Sequence, residues 1–152
     1  MRRQLSQRKR IPRPIDPMGG LGLLNRRTTA PLEEVQLRDL GLAYLGALRG
    51  MTTGHGNETL WHTLACSINV AMVLSEMGVM PQGLNVIQQG QDALIRVKAH
   101  ADKSGEWKLG IHAFPIECAF KLHNQQIKEA SKGQLLTALE EVHRRLDAGR
   151  CL

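Results

Sequence analysis

Aromatic side chains are scarce in this chain: Tyr44, Trp61, Trp107, Phe114 and Phe120 are the whole supply among 152 residues. Trp61 and Phe120 fall on apolar helical stripes, so too few remain to stack the successive bases of a single-stranded nucleic acid. Cysteine is equally sparse. Cys66, Cys118 and Cys151 are too few and too scattered for a disulfide framework, and a reducing bacterial cytoplasm is the expected compartment. No apolar run approaches the ~20 residues of a membrane-spanning helix. The basic start is not followed by the apolar segment of a secretory signal, so neither membrane nor export is expected. Period-two alternation, hairpin turns and internal repeats are missing, which argues against a β architecture. The phosphate-cradling glycine patterns are missing as well, and Gly54-His55-Gly56 reads as a loop hinge.

What is present is unevenly placed. The length suits one domain, and 42% apolar against 22% charged residues is enough for most of the chain to fold. Residues 1–27 carry Arg2, Arg3, Arg8, Lys9, Arg10, Arg13, Arg26 and Arg27 against Asp16 alone, a net +7. The remaining 125 residues hold 12 basic and 13 acidic side chains, a net −1, so the basic character belongs to an arm rather than to a domain. Pro12, Pro14 and Pro17 fix φ, remove three backbone donors and push RIPRPIDP (10–17) towards polyproline II geometry. Gly19, Gly20 and Gly22 follow. Ile11, Ile15, Met18, Leu21, Leu23 and Leu24 interrupt the polar sequence, and a merely solubilising tail would not need them. The arm, residues 1–30, is therefore read as a docking segment, with Ile11 and Ile15 as its apolar contacts.

Residues 31–149 read as an all-α bundle of about five helices, with 150–152 as a tail. The first helix is expected over about 32–49, with Pro31, Glu33 and Glu34 at a start that favours them. Its stripe is Leu32, Val35, Leu40, Ala43, Tyr44, Ala47, Leu48 and Met51. Asn57 caps a second helix over about 58–77, apolar on more than one side, with Gly78 as its stop. That breadth makes it the expected central helix and a surface for self-association. Pro81 starts a third helix, about 82–103, with Leu84, Ile87, Leu94, Ile95 and Ala101 inward. A fourth begins near Pro115 and runs to about 130. Ser131 and Gln134 have capping-box spacing and open a fifth, with Leu135, Leu139, Val142 and Leu146 inward. Short connections between amphipathic helices make a bundle.

Candidate chemistry is thin. His62 and Cys66 share a helix face, and His112, Cys118 and His123 lie around the fourth helix. Metal ligation would need C-x-x-C or H-E-x-x-H spacing, which is not there. Cys66 and Cys118 are instead expected to be small buried hydrophobes, with His62 at the bundle edge. No catalytic cluster, cofactor site or metal site is expected, and Glu140-Glu141 reads as a solvated pair. Lys121, Lys128, Lys132, Arg144 and Arg145 form at most a modest basic patch. Asn69, mid-helix among Ile68, Val70 and Ala71, reads as a buried hydrogen-bonding group, with a polar register pin at an interface as the alternative.

The stretch GHGNETLWHTLACSINVAMVLSEMG (54–78) resembles a segment in small proteins of proteobacterial phages and mobile elements. Trp61-His62, Leu64, Asn69-Val70-Ala71 and Val73-Leu74 carry the resemblance, with GEW (105–107) and EEVHRRL (140–146) downstream. The resemblance implies a bacterial mobile-element protein that acts by binding host or phage machinery. Two functions are therefore expected: engagement of a nucleic acid or ribonucleoprotein assembly through the cationic arm, or, as the alternative, an inhibitor or adaptor that binds protein through the bundle surface, as anti-CRISPR proteins do.

Overall fold

Five α-helices make up most of residues 29–152, the part of the chain that the computed structural model describes. They are α1 (Glu34–Thr52), α2 (Glu58–Glu76), α3 (Leu84–Ser104), α4 (Ala113–Glu129) and α5 (Lys132–Asp147). No β-strand forms among these residues; Pro31 and Ser131 make an isolated bridge. The all-α bundle expected from periodicity is what forms. The arm, residues 1–28 of it, lies outside the described residues.

The helix ends follow local chemistry. The Glu33 amide donates to Gln36 Oε1 at 3.0 Å, which occupies a donor that the first turn of α1 would otherwise leave open. Asn57 Oδ1 accepts from the Leu60 amide at 2.9 Å. At the start of α5, Ser131 Oγ accepts from the Gln134 amide at 3.1 Å while Gln134 Oε1 accepts from the Ser131 amide at 2.9 Å, the reciprocal box expected from their spacing. Gly78 (φ 92°) and Gly105 (φ 75°) take the left-handed geometry that stops α2 and α3, a region costly for residues with a Cβ. The third helix starts later than proline suggested, because Pro81–Gly83 winds as a separate 3-10 turn before it. The fourth starts earlier, at Ala113, so Pro115 sits within its first turn, where its missing donor breaks no helical bond.

α2 occupies the centre. It packs against α1, α3, α4 and α5, and Leu64, Ile68, Ala71 and Leu74 are fully enclosed. The apolar breadth that suggested self-association through this helix is consumed within the chain, because four neighbours cover its different sides. Trp61 adds a directional contact, donating from Nε1 to the Leu94 carbonyl of α3 at 2.9 Å. α1 contributes Leu40, Tyr44, Ala47 and Met51 to the core. Val35, expected on that stripe, is 55% exposed: at 100° per residue, five positions before Leu40 rotates it off the inner face. Ile95 likewise points outward at 49% exposure, because its neighbour Leu94 takes the inner position.

Three glycines carry packing information. An added Cβ at Gly90 would lie 2.6 Å from Ala119 Cβ, so α3 and α4 approach closely there. At Gly56 it would lie 1.7 Å from the Trp107 carbonyl oxygen. The segment read as a hinge is therefore a close backbone contact between the α1–α2 loop and the α3–α4 loop. At Gly46, on the outer side of α1, nothing lies within 4 Å.

Opposite responses follow for alanine at two of these helical positions. Gly46→Ala should raise the unfolding free energy by about 0.5–1 kcal/mol through backbone propensity alone. Gly90→Ala should lower it by roughly 1–3 kcal/mol through overpacking. Urea titrations monitored by circular dichroism measure both, and stabilisation by Gly90→Ala would contradict the α3–α4 contact. In the same assay Leu64→Ala should cost about 2–5 kcal/mol, as buried leucine truncations do.

Candidate functional site

The residues expected to bind a partner, Arg2, Arg3, Arg8, Lys9, Arg10, Arg13, Arg26 and Arg27 with Ile11 and Ile15, all lie outside the described residues. The point where that segment joins the bundle is described. The Lys132 amide donates to the Ala30 carbonyl at 2.9 Å, Pro31 bridges Ser131, and Leu32 is buried in the core. Lys132 Nζ also reaches Glu33 at 3.4 Å. The chain entering α1 is thus held at the α4–α5 corner by backbone bonds, an apolar anchor and an ion pair.

The modest basic patch read on α4 and α5 is largely neutralised. Arg144 and Arg145 both bond Glu141, at 2.6 and 2.7 Å, and Arg145 also reaches Glu76. The guanidinium groups of Arg144 and Arg145 hold the Glu141 carboxyl down at about 2. With Lys132 paired to Glu33, Lys121 and Lys128 are the patch members that make no ion pair among the described residues.

The histidines and cysteines do not assemble a ligand set: among the described residues no group of three His, Cys, Asp or Glu side chains could hold a metal ion. His62 is partly exposed and lies 3.6 Å from Glu58 one turn earlier. Cys66 and Cys118 are half-buried rather than enclosed, because each sits on the shoulder of its helix beside the buried positions Ala65 and Ala119.

His123 has a different role. It is buried beside Tyr44, with ring centres 5.6 Å apart, and its Nδ1 lies 3.3 Å from Gln126 Oε1. Gln126 Nε2 faces the Ala71 carbonyl, Ser75 Oγ and the Val79 carbonyl at 3.0, 2.8 and 3.2 Å. With its nitrogen turned to three acceptors, the Gln126 oxygen accepts, and His123 donates from Nδ1–H. The Tyr44 hydroxyl donates to Asn124 Oδ1, and burial pushes its pKa up to about 12. This buried polar cluster joins α4 to α2 and to the turn before α3. Sequence reading missed Gln126, although its place three residues after His123 puts it on the same inward face.

The main cavity among the described residues is a cleft of about 580 Å³ between α2, α3 and the chain after α5. Asn69 forms its floor and is 1% exposed. Its Oδ1 accepts from Gln91 Nε2 at 3.1 Å, and its Nδ2 donates to the Leu152 carbonyl at 3.4 Å. Asn69 is thus a buried group satisfied within the chain. Residues 150–152, read as a tail, fold back, and Leu152 packs against the core. Met72 and Ile95 form apolar walls, and Asp92 stands on the rim.

Two outward apolar areas complete the surface. One is the outer side of α1, with Val35, Leu42 and Leu45; the other is the corner before α4, where Ile111 is 90% and Phe114 73% exposed. No helix among the described residues is long and apolar enough to cross a membrane. Compared with known proteins, the chain matches no family model, no curated protein and no solved structure.

The His123 cluster sets a pH dependence. Burial pushes the imidazole pKa from 6.5 down to about 4, with the Gln126 bond opposing it. Between those values the unfolded chain binds a proton that the folded chain does not. Stability is therefore complete above pH 6.5 and falls as the pH drops towards 4, by roughly 3 kcal/mol for this group. His123→Asn should remove that part of the slope in denaturant titrations at a series of pH values. An unchanged slope would contradict a neutral buried imidazole.

Proposed function

We infer that this chain is a non-enzymatic binding or regulatory protein of a bacterial phage or mobile element, active in the host cytoplasm. It engages a nucleic acid or ribonucleoprotein assembly through its cationic N-terminal arm, while the bundle serves as the scaffold. The observation that carries this reading is the separation of charge: +7 in residues 1–27 against −1 in all that follows. A cationic segment on a near-neutral body concentrates phosphate neutralisation in one place. The pinned entry at Ala30, Pro31 and Leu32 supports it, because a firm root lets the arm's contacts orient the bundle on its partner.

A second reading is favoured by the outward apolar side chains. Val35, Leu42 and Leu45 on α1, and Ile111 and Phe114 before α4, are surfaces through which an inhibitor or adaptor would bind protein. In that case the arm only assists.

Salt dependence separates the two. Binding to a short nucleic-acid duplex should weaken linearly in log–log form, and Ala at Arg8, Lys9, Arg10 and Arg13 together should reduce the slope by about 3–4, near 0.9 per lost phosphate contact. The melting temperature should move by no more than about 2 °C. Duplex binding that survives this change with its slope intact sinks the first reading. Loss of a captured protein partner after Ile11→Ser and Ile15→Ser, with the charges kept, favours the second.

A further inference from the structure

We propose that the cleft between α2 and α3 is a docking groove for an extended peptide that carries a basic residue followed two positions later by an aliphatic anchor, and that residues 150–152 sit in it as an internal occupant. This goes beyond the arm-based reading and does not depend on it.

The argument starts from Asn69. A carboxamide this deeply buried in an apolar helix face is costly unless both its ends are bonded. Gln91 serves the oxygen at 3.1 Å. The nitrogen donates to a backbone carbonyl, that of Leu152, at 3.4 Å. That length is beyond the ~2.7–3.2 Å of a well-made bond, so the donor is engaged but weakly held. A side-chain donor aimed at a main-chain carbonyl reads an extended segment whatever that segment's side chains are. Selectivity then comes from the walls.

The walls match the segment that lies there. Leu152 leans on the core, and half-exposed Ile95 and Met72 offer further apolar surface beside it. Asp92 on the rim makes no ion pair or hydrogen bond among the described residues, and Arg150, the cation of the seated segment, lines the same cleft. Residues 150–152 fill only one edge, since about 580 Å³ stays open alongside them, a volume within the ~300–1,000 Å³ of ligand sites. A longer peptide of the same pattern would use the remaining space and could displace the internal segment.

The test uses the full chain, isotope-labelled, with a synthetic peptide copying residues 148–152 and carrying serine in place of Cys151. Leu152→Asp empties the groove. That variant should bind the peptide about tenfold or more tightly than the natural chain, because self-occupancy lowers apparent affinity by the open fraction. Amide shifts should centre on Met72, Gln91 and Ile95. Adding Asp92→Lys, an exposed change that leaves the fold intact, should weaken binding about tenfold, as loss of a salt-bridging partner does at a desolvated rim. Equal affinity of the natural and Leu152→Asp chains, or shifts centred elsewhere, overturns the proposal. So does concentration-dependent association of the natural chain that Leu152→Asp abolishes, which would give the groove to a second copy.

Discussion

The structure depends on the burial of α2. Its apolar residues point in several directions, so no single neighbour can cover them, and four helices close around it. Leu64, Ile68 and Leu74 are inaccessible from every side. That demand explains the placement of α5, which follows α4 after a two-residue connection yet packs chiefly on α2. Coverage by α5 also brings residues 150–152 back to the α2–α3 cleft. The surface of the bundle is thus a consequence of how its centre is satisfied.

Apolar burial alone is non-directional, and the polar groups within it supply register. Gln126 bonds two positions on α2 and the turn that follows it, so α4 cannot slide along α2 without stranding a buried carboxamide. Trp61 fixes α2 against α3 in the same way through the Leu94 carbonyl, and Gly90 lets α3 and α4 close to contact distance. Each device is a local exception to apolar patterning, and each sits where two helices meet.

Features set by neighbours in sequence were legible before the structure. The caps at Asn57 and Ser131, the stops at Gly78 and Gly105, and the central position of α2 all follow from spacing within about one or two helical turns. Features set by tertiary approach were not. Ile95 lies beside an inward Leu94 and looks apolar on any pattern. Arg145 looks like a surface cation until Glu76, 69 residues earlier in the chain, is seen to hold it. The cleft needed the return of Leu152 to Asn69, a contact spanning 83 residues. Of the candidate site, the charge separation was legible because it is a property of composition, whereas the groove belongs to the fold.

The dependence on α2 is open to one direct measurement: native-state hydrogen exchange of the full chain, set against its unfolding free energy from denaturant. The account predicts that amides of α2 around Leu64, Ile68 and Ala71 exchange only through global unfolding, so that their opening free energy equals the denaturant value and exceeds that of the outer turns of α1 and α5. Faster exchange in α2 than in those outer helices would mean that α2 opens on its own, and the bundle could not then be built around it.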